Sequence, residues 1–127
     1  MRGYISITAT DLKSWLHEGY IQLEDLYAPT DDFIAANADL DEEEIEFTLS
    51  MLAAEDAQSG DEKYPLVVAL EVPNNLIQEA DKGVITLNSK APWELLECVF
   101  LVEENGEELT WFATQEIESN LDQWLKK

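Results

Sequence analysis

The sequence predicts an α+β fold: one acidic domain over residues 1–127, with a mixed sheet of about four to five strands and helices packed mainly on one face. Three observations support this prediction. An almost continuous apolar run at residues 66–72 is typical of a central strand, amphipathic helical patterns flank it, and no Pro- or Ser-rich linker divides the chain. The hydrophobic fraction, 46%, is that of a folded protein.

The N-terminal part predicts a strand followed by a short helix. Residues 4–7 alternate in character and are β-rich, which indicates an opening strand. Thr8 stands three residues before Asp11, a capping-box spacing that starts a helix, and Gly19 is well placed to end it. The apolar face of this helix consists of Leu12, Trp15 and Leu16.

The next elements are short. A strand is predicted near Leu26 and ends at Pro29, and Thr30 is a good N-cap for a small helix over residues 33–36. Residues 37–40 form a break. The polar and proline residues at these boundaries therefore predict two separate small elements before the main helix.

The longest predicted helix lies within residues 39–57 and starts at Asp39 or Asp41. Acidic side chains crowd its first turn, where the helix dipole favours negative charge. Its apolar stripe, at i, i+4, i+7 and i+8, consists of Ile45, Leu49, Leu52 and Ala53. Phe47, Met51 and Ala54 widen this stripe, which predicts a helix buried on more than one side.

The C-terminal half predicts strands over residues 66–72, 84–87, 98–102 and 109–112. Asn105-Gly106 is a strong hairpin signal between the last two of them. Thr114 is the predicted cap of the last helix, and Lys126 and Lys127 end it with the charge that the dipole favours. The apolar stripe of this helix consists of Ile117, Leu121, Trp124 and Leu125.

Charge is the extreme property of the chain. It contains 28 acidic and 7 basic residues, for a formal net charge of −21 at pH 7. Such a field repels nucleic acid and anionic membranes and favours basic partners. Two explanations stay open: a solvated, soluble surface, or a surface shaped for a basic partner. Adjacent acids occur at 24–25, 31–32, 41–44, 61–62, 103–104 and 107–108.

The residue types that could act in catalysis or bind a metal form no recognisable motif. No catalytic residue, metal site or cofactor is therefore predicted. The acids at 41–44 lack the central glycine of a calcium-binding loop, and consecutive acids on a helix point all round it. The lone His17 indicates a structural or surface role, and Cys98 indicates a buried core residue. Of the four tryptophans, Trp15, Trp93, Trp111 and Trp124, most occupy core-compatible positions, and one exposed anchor is a further hypothesis.

Several segments resemble one known family. The chain opens with Met1-Arg2-Gly3-Tyr4 and continues into Thr8 and the pair Asp11-Leu12. The other matching pieces are Tyr27-Ala28-Pro29-Thr30, the acidic run over residues 41–47 and the Val-rich strand that ends at Pro73. On these residues, the chain resembles a largely actinobacterial family, domain of unknown function 6912, to about Val102. Members often carry a His in the third strand, where this chain has Phe100. The resemblance implies fold boundaries and a cytoplasmic protein, without a mechanism.

These observations favour a small cytoplasmic interaction or regulatory protein that binds a basic protein partner, with nucleic-acid mimicry as a special case. The predicted partner-binding residues are Asp41, Glu42, Glu43, Glu44 and Glu46. One alternative is a carboxylate- or metal-dependent enzyme that uses Asp41, Glu44 and Glu46 with His17. Another is a structural subunit of an oligomer. Direct nucleic-acid binding and membrane insertion are not expected, and the oligomeric state is open.

Overall fold

The computed structural model describes residues 1–106 and 108–126. The predicted α+β class is confirmed. The strands are β1 (Arg2–Ile7), β2 (Tyr20–Ile21), β3 (Asp25–Tyr27), β4 (Leu66–Glu71), β5 (Ile77–Asp81), β6 (Val84–Leu87), β7 (Ala91–Pro92), β8 (Leu96–Val102) and β9 (Leu109–Ala113). The α-helices are α1 (Ala9–Glu18), α2 (Asp31–Ala36), α3 (Glu42–Gln58) and α4 (Ile117–Trp124). Glu107 and Lys127, which the sequence places in an acidic pair and at a helix end, lie outside the described residues.

The main sheet is larger than predicted. Within the described residues it contains seven strands, in the order β5-β6-β3-β1-β4-β8-β9, whereas four to five were expected. Neighbouring strands pair antiparallel throughout, so this sheet is antiparallel rather than mixed. The strand that the sequence pattern missed in this sheet is β5, because an edge strand with exposed polar residues lacks an apolar run. Strands β2 and β7 form a separate antiparallel pair.

Helices cover both faces of the sheet, which corrects the prediction that the helices pack mainly on one face. Helix α3 packs on one face against Tyr4, Val67 and Ala69. Helices α1 and α4 pack on the other face, where Leu12 and Leu121 join Val68 in the larger core. Successive β4 side chains point to opposite faces, so a strand that is apolar at nearly every position needs cover on both.

The ends of the first helices confirm the predictions from local sequence. The Thr8 side chain accepts a hydrogen bond from the Asp11 backbone N–H at 3.1 Å and caps α1. Gly19 ends α1 in the left-handed conformation, with φ of 80°. Thr30 caps α2 by accepting from the Phe33 N–H. These caps satisfy helix-terminal groups that would otherwise lack partners.

The start of α4 differs from the prediction. Thr114 does not cap it; the Thr114 hydroxyl donates instead to the Glu97 carbonyl at 3.5 Å. A short 3₁₀ turn over Thr114–Glu116 comes first, and the Glu116 carboxylate accepts from the Ala113 N–H at 2.9 Å. The predicted stripe of α4 is otherwise confirmed, since Ile117, Leu121 and Trp124 are buried and Leu125 is half-buried.

Two tight turns connect strands of the main sheet. Asn105-Gly106 lies between β8 and β9, as predicted, and Gly106 has a φ of 72°. The turn between β5 and β6 uses Lys82 and Gly83, with φ values of 51° and 80°. Positive φ at both central residues is the geometry of a type I′ hairpin turn. Among the described residues, no helix has the length and apolar character required to cross a membrane.

Candidate functional site

The candidate site is a groove between α3 and the outer strands of the sheet. Helix α3 packs chiefly on β1, β4, β3 and β8, and leaves the edge strand β9 largely uncovered. The uncovered region contains a depression of about 320 Å³, which we call the α3 groove. Its lining consists of Tyr4, Glu46, Phe47, Ser50, Phe100 and Leu109.

Two exposed aromatic side chains accompany the groove. Phe47 on α3 is 60% exposed, and Trp111 on β9 is 57% exposed. Trp111 lies directly opposite Phe100 in the β8–β9 register, so the two share the face of the sheet that carries α3. Large exposed aromatic groups beside a concave surface are characteristic of protein interfaces.

The exposure of Phe47 contradicts the prediction that it widens the buried face of α3. The helix buries Ile45, Leu49 and Ala53, which are four residues apart. Phe47 is offset by two positions from both Ile45 and Leu49, and residues two apart do not share a helix face. Leu52 and Met51 are half-buried, whereas Ala54 is buried as expected. The offset of two was the signal in the sequence that identifies Phe47 as a surface residue.

The floor of this region contains a polar cluster around Arg2. The guanidinium Nε lies 3.4 Å from the Glu97 carboxylate, and Nη2 donates to the Cys98 sulfur at 3.6 Å. The same group lies 5.6 Å from the centre of the Tyr4 ring, a cation–π distance. The β4–β8 register shifts between Ala69 and Leu70, leaving Glu97 as the extra residue of a bulge. Bulges redirect side chains, which explains how adjacent Glu97 and Cys98 both reach Arg2.

Burial changes the proton affinity of this cluster. Burial raises the pKa of the Glu46 carboxyl, and the Tyr4 hydroxyl and Arg2 guanidinium partly oppose that shift. Burial, together with the Glu46 charge, raises the pKa of Tyr4. Burial also raises the pKa of the Cys98 thiol, which favours the protonated form. Cys98 is buried, as the sequence predicts.

One carboxylate oxygen in the cluster has an unmet hydrogen-bonding capacity. Glu46 Oε2 is inaccessible to solvent and accepts no hydrogen bond from any residue that the structure describes. Glu46 also lines a second depression of about 270 Å³, beside Glu42 and Ile34. The Glu46 side chain therefore lies between the two depressions, with this oxygen buried.

The five predicted partner-binding residues do not act alike. Asp41 and Glu44 form a capping box: Asp41 Oδ1 accepts from the Glu44 N–H at 2.8 Å, and Glu44 Oε1 accepts from the Asp41 N–H at 3.2 Å. Glu42 and Glu43 are exposed in the first turn, and Glu46 is half-buried beside the groove. Two of the five thus hold the helix start, while the other three face solvent or the groove.

The carboxylates nevertheless surround Phe47. Glu43 and Glu44 line a third depression of about 470 Å³ together with Phe47, while Glu46 and Phe47 share the α3 groove. An exposed aromatic ring therefore stands between acidic borders.

The residues of the enzyme alternative lie on different layers. His17 is exposed on α1, whose Leu12 and Trp15 pack in the core on the opposite face of the sheet from α3. Asp41, Glu44 and Glu46 belong to the α3 side. Over residues 1–106 and 108–126, no three or more His, Cys, Asp or Glu side chains are grouped so that they could hold a metal ion.

Within the described residues, this strongly acidic α+β chain has a seven-stranded antiparallel sheet covered on both faces and an acidic, aromatic surface beside α3. Residues 1–106 match the family of unknown function DUF6912, and the chain belongs to this family. The resemblance seen in the sequence is thereby confirmed. No curated protein and no solved structure matches the chain.

Proposed function

We propose that this protein is a small cytoplasmic interaction or regulatory protein whose α3 groove binds a basic segment of a partner protein. The observation that carries the proposal is the exposure of Phe47, 60%, between depressions bordered by carboxylates. Burying an exposed ring as large as that of Phe47 against a partner removes apolar surface from water, which stabilises the complex.

Charge supports a basic rather than a neutral partner. The net charge of −21 attracts a cationic segment over long range and raises its association rate. At short range, the exposed Glu43 and Glu44 carboxylates beside Phe47 would pair with a Lys ammonium or Arg guanidinium. Nucleic-acid mimicry is the special case in which the natural ligand of the basic partner is DNA or RNA.

A defined probe tests the proposal: a fluorescently labelled octapeptide of alternating Lys and Val, titrated by anisotropy. We expect Glu42→Gln, Glu43→Gln and Glu44→Gln together to weaken binding roughly tenfold, because three charges beside Phe47 are removed. Glutamine at position 44 preserves the capping-box acceptor, so α3 stays folded. Phe47→Ala should weaken binding by a similar factor.

The matched control removes equal charge from the other layer, with Glu18→Gln, Glu118→Gln and Asp122→Asn on α1 and α4. These exposed acids should matter less than about twofold, through the long-range field alone. Equal effects of the two triple variants would show that only net charge acts and would overturn the site. Binding that does not change with salt concentration would contradict the basic-partner proposal.

A further inference from the structure

We infer that the partner segment binds as an added β-strand along the free edge of β9. This inference rests on the proposed function and deepens it by naming the conformation of the bound segment. Strand β9 pairs with β8 and ends the main sheet. An unpaired sheet edge presents a row of backbone donors and acceptors that an extended peptide can satisfy.

The direction of the β9 backbone groups follows from the hydrogen bonds around it. Val102 lies opposite Leu109, and its N–H donates to the Pro65 carbonyl on the β4 side, at 2.9 Å. Glu103 donates to the Glu108 carbonyl at 2.9 Å, so Glu108 faces β8. Backbone groups alternate along a strand, and therefore Leu109 and Trp111 point their N–H and C=O groups away from β8.

Among the described residues, the outward N–H and C=O groups of Leu109 and Trp111 have no hydrogen-bond partner. The next outward group, the Ala113 N–H, is already bonded to the Glu116 carboxylate at 2.9 Å. The free edge is therefore two outward-facing residues long and ends at the turn before α4. A short docked strand matches this length.

The opposite edge of the sheet is protected, and β9 is not. Strand β5 carries the exposed acids Glu79 and Asp81 and has a register irregularity between Ile77 and Glu79. Charges and bulges on an edge strand discourage strand addition. Strand β9 has the sequence LTWFA, without charge, and its register with β8 is continuous. The contrast between the two edges singles out β9.

The surroundings of β9 favour a basic strand over a second copy of this chain. Glu103 accepts a hydrogen bond from the Thr110 hydroxyl, and Glu104 and Glu108 are exposed in the same hairpin. The Gln58 side chain of α3 donates to the carbonyls of Glu103 and Glu104, at 3.1 and 3.3 Å, and holds the hairpin in place. Pairing two copies at this edge would bring these acids together, whereas lysines on a docked strand would neutralise them.

The test uses the Lys–Val octapeptide in two N-methylated versions, one methylated on the lysine amides and the other on the valine amides. In a strand, alternate N–H groups point to opposite edges, so only one set of amides faces β9. We expect one version to lose about tenfold or more in affinity and the other to bind like the parent. On binding of the parent, the Leu109 and Trp111 amides should gain protection from hydrogen exchange.

The outcomes separate this inference from the proposed function. If both methylated versions behave alike and the two amides stay unprotected, while the α3 charge variants still weaken binding, strand addition is overturned and the groove proposal stands. If the parent peptide does not bind, both are overturned. Protection of Leu109 and Trp111 that grows with protein concentration, without peptide, would show a second copy at this edge and would also overturn the inference.

Discussion

At the scale of single residues, the Thr30 hydroxyl connects helix α2 to the β5–β6 hairpin. Thr30 is 1% exposed, and its Oγ1 accepts from the Gly83 N–H at 2.8 Å and donates to Asp32 Oδ1 at 2.6 Å. Asp32 Oδ2 accepts from the Lys82 N–H at 2.7 Å. Two side chains at the start of a helix thus satisfy both central N–H groups of a distant turn.

This arrangement predicts a pH dependence of stability. The Thr30 hydroxyl, followed by the Lys82 N–H, lowers the pKa of Asp32 from 3.8 to about 2. Because the folded pKa lies below the ordinary value, ionised Asp32 stabilises the fold above about pH 4, and that contribution is lost as the pH falls through about 2. We expect Asp32→Asn to be less stable than the wild type at neutral pH. Urea unfolding should show this difference shrinking in acid.

The control for Asp32 is its exposed neighbour, Asp31→Asn, which removes the same charge from the first turn of α2. At neutral pH this variant should lose less stability than Asp32→Asn, because the hydrogen bonds to the Lys82 and Gly83 N–H groups come from Asp32 and Thr30. A carboxyl chemical-shift titration measures the pKa directly, and Thr30→Val should raise the Asp32 midpoint. An Asp32 midpoint that Thr30→Val leaves unchanged would contradict this account.

At the scale of elements, the Lys82-Gly83 turn decides how β5 joins the sheet. Both residues have positive φ, which a side chain with a Cβ tolerates poorly. A Cβ on Gly83 would lie 2.7 Å from Phe33 Cδ2 on α2, whereas a Cβ on Gly19, at the same φ of 80°, would meet nothing within 4 Å. Comparing substitutions at the two glycines therefore separates the cost of backbone strain from the cost of steric contact.

We expect Gly19→Ala to destabilise the protein by roughly 1–2 kcal/mol, the cost of the left-handed conformation alone. Gly83→Ala should cost about 1–3 kcal/mol more, because Phe33 must also move. Urea unfolding midpoints of the two variants, with a common slope, measure both effects. Equal losses of stability in the two variants would show that Phe33 moves aside at no cost. The turn would then not depend on close packing against α2.

At the scale of the whole molecule, self-repulsion opposes the compact state. With a formal net charge of −21, the folded chain holds its carboxylates closer together than the unfolded chain does. Two ion pairs occur among the described residues, between the N-terminal amine and Glu71 and between Arg2 and Glu97. Salt therefore screens more repulsion than attraction in this protein.

Raising NaCl from about 0.05 M to about 0.5 M should accordingly increase the melting temperature by a few degrees. The variant that combines Glu18→Gln, Glu118→Gln and Asp122→Asn should show a smaller increase, because it carries three fewer charges. Circular dichroism melting curves measure both. A melting temperature that falls with added salt would contradict the dominance of repulsion.

Predictability from sequence differed between the elements. Thr8, Thr30 and Gly19 were recognised as helix ends because capping depends on residues within about one turn. The prediction that Thr114 caps α4 is wrong, because a 3₁₀ turn that includes Thr114 and Glu116 lies between β9 and α4. Strand β5 was missed because its register depends on pairing with β6 rather than on its own polar sequence.

For the candidate site, the sequence identified the acids around α3 but not the groove they border. Phe47 was assigned to the buried face, although its offset of two from Ile45 places it elsewhere. The Arg2–Glu97 pair depends on a bulge in β8, and local propensity does not indicate that bulge. The partner-binding role of Asp41, Glu42, Glu43, Glu44 and Glu46 stays a prediction.

The sequence by itself determined the charge, the caps of α1 and α2, the apolar stripe of α3 and the two-sided character of β4, because these follow from composition and from contacts within a few residues. Only the tertiary structure decided which helix covers each face, which aromatic side chains remain exposed and which sheet edge is free. Those outcomes depend on contacts between distant residues, such as Thr30 with Gly83, 53 positions apart. The shape of the α3 groove was likewise decided only by the tertiary structure.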